Sequence, residues 1–507
     1  MLTFRPYQKQ VISNTYNYIR QKSRKILIFA PTGAGKTVII SKIISDAVRR
    51  GKKVLFVVHR EILISQTAKK IVDLGVQCGF IKAGWPENIN ASVQIASVQT
   101  LARRESWKQL QFDIIVFDEC HLVAFAKISR QMITNIFPNA IYLGLTATPW
   151  RLSKQESLGD IYTSLVCAPM PKELIESEYL VKPSYYGLNF DIQLDRVDLV
   201  NGDYDLNQLS TTCDRPELVE QITSTWCKLA TERPTIAFAI KVKHAENIAL
   251  SFRDRNISAA VVSGSTPTTV RNELYQKLAD GQLKILVSCN ALSEGFDVPA
   301  VSCVVLARPT KSKALYFQQV GRGLRLAQDK HDCLVLDQSS NVLEHGFIED
   351  LEEVILETSP DKVSCRKGKA PRKLCPANRG GCGAYIASVV LKCPHCEYDF
   401  DLAKLVTVLG SDRLISECDR ARMTKYRYLL RQSYQNNFAP SWAAVKFRKE
   451  FGFFPPFDWG RNAIFDGQEN EYSLYKNYLE RTAQRLGKDG DWIQKYLVLE
   501  FGCQSVS

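Results

Sequence analysis

The chain has 507 residues, a formal charge of +13, 45% hydrophobic and 23% charged residues, an ordinary globular composition for about two to four domains. No apolar run reaches the roughly 18 residues a membrane-crossing helix needs, and the start MLTFRPYQKQ lacks the charged-then-apolar pattern of an export signal, so a cytoplasmic protein with no membrane partner is expected. Most of the excess charge lies between Arg366 and Glu450, where 17 Lys or Arg face 7 acids; this suits a polyanionic partner and equally a solvated face.

Short apolar, β-branched runs alternate with longer amphipathic stretches over the first 350 residues. The strand candidates are Lys25–Ala30, Val54–Val58, Val93–Ser97, Ile114–Phe117 and Ala140–Leu145, then Thr235–Ala239, Ala259–Val262, Lys284–Ser288, Val301–Leu306 and Asp332–Leu336. Near-continuous apolar strands separated by helical segments predict parallel sheets covered on both faces. Two groups of them predict two α/β domains, at 1–190 and 205–350, divided by a polar connector between about 185 and 215. A basic, Pro/Gly-interrupted linker follows, then a cysteine cluster at 365–400 and a helical, aromatic-rich region at 405–507.

Strand Ile26–Phe29 runs into Ala30-Pro-Thr32-Gly33-Ala34-Gly35-Lys36-Thr37 and then into an amphipathic helix. This strand–loop–helix is a phosphate-binding loop. The two glycines let backbone N–H groups of Thr32, Gly33, Ala34 and Gly35 curl toward phosphate, and the helix N-terminus adds a favourable dipole. Lys36 would reach the β and γ phosphates of ATP, and the Thr37 hydroxyl would ligate Mg²⁺. Roughly 80 residues later, apolar Ile114–Phe117 ends in Asp118-Glu119-Cys120-His121. Carboxylates at the C-terminal end of a parallel strand sit where such folds bind ligands. Asp118 would hold Mg²⁺, and Glu119 would polarise the attacking water.

The DECH sequence resembles the DEAD/DEAH box of superfamily 2 helicases, and further motifs of that family occur in order. Phe4-Arg5-Pro6-Tyr7-Gln8 resembles its adenine-reading segment, which implies that Gln8, with Arg5, reads the adenine edge. Thr146-Ala147-Thr148-Pro149 resembles the motif that links hydrolysis to strand movement. Asn290–Pro299, with Gly295 and Asp297, resembles the fifth motif. Gln318–Arg325 resembles the sixth, which implies that Gln318, Arg322 and Arg325 approach the γ-phosphate from the second domain. The catalytic set so implied is Lys36, Asp118, Glu119, His121, Gln318, Arg322 and Arg325. The resemblance implies two tandem RecA-like domains, and its wording is similar to RadD-type bacterial repair ATPases and phage helicases. A home in a bacterial cytoplasm or a phage-infected cell follows from it.

In this family the nucleic-acid strand crosses both domains and is held mainly by its backbone. The positions implied are His59, Arg60, Ser97, Gln99, Thr100, Lys241, Ser263, Gly264 and Ser293. Arg271 and Arg308 read instead as ordinary salt-bridge or surface residues.

Cys375 and Cys382, with six residues between them, are followed after ten more by Cys393-Pro-His-Cys396. Four thiols in two pairs, one of them a Cys-Pro-x-Cys knuckle, predict a structural Zn²⁺ ribbon, with Cys365 or His395 as substitute ligands. The eight cysteines before residue 340 lie in apolar runs and read as buried, reduced thiols. In the tail, Arg420, Arg427, Arg431 and Lys446 read as DNA contacts, and Trp442, Phe451 and Trp459 as the core of a small helical domain. The expectation is an ATP-dependent DNA helicase or translocase in repair, recombination or replication. Its partners would be single-stranded or forked DNA and single-strand-binding or repair proteins. The rivals are an RNA helicase and the motor subunit of a restriction or defence complex.

Overall fold

The computed structural model describes residues 4–59, 62–73, 75–82, 88–122, 124–148, 157–187, 192, 194–200, 202–289, 298–356, 372–377, 380–387, 390 and 392–400. Beyond these it describes 425–426, 428–430, 432–433, 436, 438, 440–451, 470–486, 489–490 and 492–494. Arg60, Pro149, Ser293, Gly295, Asp297, Cys365, Arg420, Arg427, Arg431 and Trp459 lie outside the described residues.

Seven strands form the first sheet: β1 (Lys25–Phe29), β2 (Val54–Val58), β3 (Cys78–Ile81), β4 (Val93–Ser97), β5 (Ile114–Phe117), β6 (Ile141–Thr146) and β7 (Ser164–Cys167). They are all parallel, in the order β3-β4-β2-β5-β6-β1-β7. Strands β2, β4 and β5 are buried along their whole length and β1 and β6 in all but their first residue, with Ile26, Val54, Val93, Ile115 and Leu143 fully covered. That two-sided burial is what a parallel sheet flanked by crossover helices requires. Because β5, β6 and β1 are neighbours and run the same way, the loops leaving their C-terminal ends meet at one edge. Those loops carry Glu119, Thr146–Thr148 and the phosphate loop.

The second sheet is built from β8 (Lys182–Gly187), β11 (Thr235–Ala239), β12 (Ala259–Ser263), β13 (Ile285–Cys289), β14 (Cys303–Leu306) and β15 (Asp332–Asp337). Its order is β12-β13-β11-β14-β15-β8, again all parallel. The two sheets are consistent with tandem RecA-like domains. Strand β8 corrects the expected boundary at 190: its backbone pairs with β15, so the chain has entered the second lobe by Lys182. The expected polar connector holds a small hairpin, β9 (Leu199–Val200) with β10 (Asp203–Tyr204). Asp203 ties it to the second lobe by accepting from Thr310 Oγ1 at 2.9 Å and the Lys311 amide at 2.7 Å.

The cysteine region is not separate, as expected from sequence, but extends the second lobe. Strands β16 (Arg372–Leu374) and β17 (Tyr385–Ala387) pair antiparallel, and the Gly187 amide donates to the Gly383 carbonyl at 2.9 Å. The Tyr385 ring fills the space beside Gly187, where a β-carbon would lie 2.4 Å from it. Residues 1–400 form one compact unit and 401–507 another. In the latter, helices Pro440–Phe451 and Asn470–Leu486 pack through Leu429, Leu430, Ala443, Phe447 and Leu479. Phe447 is fully buried there. Trp442, expected as core, is only partly buried, and the Lys446 ammonium lies 4.7 Å from its ring centre. No described helix is long and apolar enough to cross a membrane.

Candidate nucleotide site between two lobes

The phosphate loop takes a shape that only its glycines allow without strain: Gly33 has φ +90° and Gly35 has φ +82°. Gly35 caps the helix Lys36–Arg49, whose first residues carry Lys36 and Thr37 at the dipole-positive end. The segment Arg5–Gln8 lies against this loop. Tyr7 donates its hydroxyl to the Ala34 carbonyl at 2.8 Å, and Gln8 Nε2 donates to the same oxygen at 3.3 Å. A β-carbon on Gly35 would meet Gln8 Nε2 at 2.5 Å, so the predicted adenine reader sits directly on the loop.

At the end of β5 the backbone turns sharply. Glu119 has φ +51°, a left-handed conformation that costs a non-glycine residue about 1 kcal/mol or more. The turn aims its carboxylate at the loop: Lys36 Nζ donates to Glu119 Oε1. Glu119 Oε2 lies 3.3 Å from His121 Nδ1. His121 is buried, and its Nδ1 is also 2.9 Å from Thr146 Oγ1. Thr146 has one proton, which it donates to the Thr148 carbonyl at 2.6 Å. His121 therefore donates from Nδ1, and Thr146 accepts. A single polar chain thus joins phosphate loop, DECH and the Thr146–Thr148 motif. Asp118 accepts from the Glu119 amide at 3.1 Å.

The second lobe closes the site. The helix Lys313–Gly323 buries Gln318, Gln319, Val320, Gly321 and Arg322, and Gly321 abuts Thr32 of the phosphate loop. The Arg325 side chain also reaches the loop, with its Cγ 3.7 Å from where a β-carbon on Gly33 would be. Burial alone would raise the Glu119 carboxyl. Lys36 above all, with His121 and Arg322, outweighs it and holds the group below the usual glutamate range. Arg322 belongs to the second lobe, so charge from both lobes converges on one carboxylate. An apolar cleft lined by Phe29, Pro31, Thr32, Leu180, Phe317 and Gly321 runs between the two.

Tyr179, Leu180 and Lys330 carry no motif signal in the sequence. Arg5 Nη1 donates to the Tyr179 carbonyl at 3.4 Å, and Leu180 packs on Gly33. Lys330 Nζ donates to the carbonyls of Arg325 at 2.8 Å and Pro299 at 2.9 Å; burial brings its ammonium down to about 8.

The implied strand contacts are more scattered. Ser97 caps the helix Val98–Arg103, accepting from the Thr100 amide at 3.2 Å. Gln99 is exposed and Thr100 half-buried. Lys241 Nζ donates to Asn207 Oδ1. Ser263 is buried and bonded to Ser265 at 2.8 Å, while the space beside Gly264 is open. Arg271 donates to the carbonyls of Ser263 and Thr266, and Arg308 pairs with Asp203 at 3.3 Å.

The four sulfurs of Cys375, Cys382, Cys393 and Cys396 lie within 4.8 Å of one another. Cys375–Cys396 and Cys382–Cys393 are each 3.7 Å apart. Four sulfurs around zinc at ~2.3 Å would be separated by about 3.8 Å, so the cluster fits a tetrahedral ion. Burial pushes the Cys375 thiol up to about 11.

Residues 1–151 match the family model described as "Type III restriction enzyme, res subunit", and residues 215–327 match "Helicase conserved C-terminal domain". The chain belongs to the superfamily 2 helicases. It is similar to the putative ATP-dependent helicase IRC3 of Saccharomyces cerevisiae, 30% identical over 353 residues, which cover 66% of this helicase chain and 51% of the yeast protein. The chain thus spans only about half the length of that relative. A "51.5 kDa protein" of a Lactococcus phage is 27% identical over 425 residues, covering 83% of this chain and 88% of the phage protein. A putative HsdR subunit of a type I restriction enzyme from Vibrio vulnificus shares the fold, with a TM-score of 0.53 and 21% identity over 68% of this helicase and 67% of that chain.

Proposed function

We propose that the chain is an ATP-dependent DNA helicase or translocase, in which hydrolysis at the interface of two RecA-like lobes drives movement on DNA in repair, recombination or replication. The observation that carries this reading is the convergence of Lys36 and His121 from one lobe and Arg322 from the other on Glu119. Glu119 would take the proton of the attacking water. Lys36, released from Glu119 by the nucleotide, would hold the β and γ phosphates, with Thr37 and Asp118 as partners for Mg²⁺. Arg322 and Arg325 would stabilise the charge that spreads over the transferred phosphoryl oxygens. Because the two arginines sit on the second lobe, hydrolysis depends on closure, and reopening supplies the stroke.

Gln99, Thr100, Lys241, Ser263 and Gly264 are the proposed strand contacts, with the basic stretch Arg366–Glu450 adding electrostatic grip. The sulfur spacing supports a structural Zn²⁺ held by Cys375, Cys382, Cys393 and Cys396. ATPase rates with no nucleic acid, single-stranded DNA, forked DNA and RNA test the reading. Stimulation by DNA over RNA is expected; stimulation by RNA alone would make the chain an RNA helicase. A second reading, motor subunit of a restriction complex, is favoured by the match to a restriction-subunit model over residues 1–151.

A further inference from the structure

We infer that Tyr179 positions Arg5 for the nucleotide base, making the segment that joins the two lobes part of the base-recognition site. The inference rests on the ATP site proposed above. It starts from the surroundings of Arg5, whose guanidinium carbon lies 4.8 Å from the centre of the Tyr179 ring. Arg5 Nη1 also donates to the Tyr179 carbonyl and, at 3.2 Å, to the Tyr7 hydroxyl. The Tyr7 and Tyr179 rings meet edge-to-face with centres 5.1 Å apart. Arg5 is thereby fixed on three sides by two residues more than 170 positions apart. A guanidinium lying over one aromatic face can offer its other side to a second flat π system, and a purine is such a ligand.

The following two residues give this contact a direction. Leu180 Cδ2 lies 2.7 Å from where a β-carbon on Gly33 would be. The Val181 amide donates to the Leu324 carbonyl at 2.9 Å, beside Arg325. Tyr179, Leu180 and Val181 therefore touch in succession the base reader, the phosphate loop and the end of the arginine-bearing helix. A base settling on Arg5 pulls on the same short segment that anchors the second lobe.

The test compares ATP with ribose 5′-triphosphate, which has the phosphates and sugar but no base. In the full chain ATP is expected to have the higher kcat/KM. Tyr179→Ala should shrink that advantage roughly tenfold, the scale of one desolvated cation–π contact. Tyr179→Phe, which keeps the ring, should retain it. An advantage unchanged in the Ala variant, lost equally in the Phe variant, or absent from the unaltered chain would overturn the inference. A misfolded variant is recognised because it loses both substrates together, and Tyr179→Phe then decides alone: any loss of the ATP advantage in it overturns the inference. Failure of the unaltered chain to hydrolyse either compound would instead sink the ATP-site reading itself.

Discussion

Gly321 of the second lobe touches Thr32 of the phosphate loop so closely that a β-carbon on Gly321 would lie 2.5 Å from the Thr32 β-carbon. Neither partner is a flexible side-chain tip, so the two lobes meet through nearly rigid parts. An added methyl must push the arginine helix away from the loop. Gly321→Ala should therefore leave nucleotide binding to the first lobe nearly intact while lowering kcat at least about tenfold, because Arg322 no longer reaches its place. Single-turnover hydrolysis and fluorescent-nucleotide binding on the same preparation measure both. Parallel loss of binding and turnover would contradict it.

The pairing of Lys36 with Glu119 gives a second expectation. Lys36→Ala and Glu119→Gln should each lower ATP turnover by at least about a hundredfold. The Gln variant should still bind ATP.

A pH prediction follows from the same carboxylate. Burial raises its pKa, while Lys36, His121 and Arg322 lower it more, so the folded value is depressed. The charged form is then stable through the ordinary glutamate range and is lost only as pH falls below it. His121→Asn removes one of the groups that lower it. The acid limb of kcat/KM should move to higher pH in that variant; a limb that stays in place would show that Glu119 is not the titrating base.

Much of this site could be read in the sequence because its parts are local. The phosphate loop, DECH and Thr146–Thr148 each follow a strand that is apolar on both faces, and such strands stand out from their polar surroundings. All ten strand candidates are strands in the structure, within one or two residues at their ends. The strands without a clear sequence signal lie at sheet edges and mix apolar with small or polar residues: β3 reads Cys-Gly-Phe-Ile, β7 Ser-Leu-Val-Cys, and β8 Lys-Pro-Ser-Tyr-Tyr-Gly. Tyr179 carries no sequence signal for another reason. Its meaning comes from Arg5, distant in the chain, and no periodicity or motif encodes that encounter. The attachment of the cysteine region to β8 is hidden in the same way, since Gly187 and Tyr385 find each other only in the fold.

That attachment makes the cysteine cluster testable beyond metal content. About one zinc per chain is expected. Because β17 and Tyr385 pack on β8 at the edge of the second sheet, losing the metal should loosen the lobe itself. Cys393→Ser, or strong chelation, should lower the melting temperature of the ATPase unit by several degrees, the effect of about 1–2 kcal/mol in a domain of this size. A folded, metal-free protein with unchanged melting would remove zinc from the account.

Thr146 lies between His121 and Thr148. Its hydroxyl accepts from His121 Nδ1 and donates to the Thr148 carbonyl, so a change at Glu119 has a short polar route to the segment resembling the coupling motif. Thr146→Val keeps the shape of the side chain but breaks both bonds, and with them the one its hydroxyl accepts from the Thr148 amide at 2.9 Å. The buried N–H groups of His121 and Thr148 would each lose a partner, a cost of about 1–3 kcal/mol apiece, though Glu119 Oε2 at 3.3 Å remains as a substitute acceptor for His121. With that substitute in place, the ion pair with Lys36 survives and ATP hydrolysis should fall only severalfold. The route to Thr148 does not survive, so strand displacement or translocation per ATP consumed should fall much further. Measuring both rates on one forked DNA gives the ratio directly. An unchanged ratio would mean that the polar chain from Lys36 to Thr148 holds the site together without transmitting anything along it.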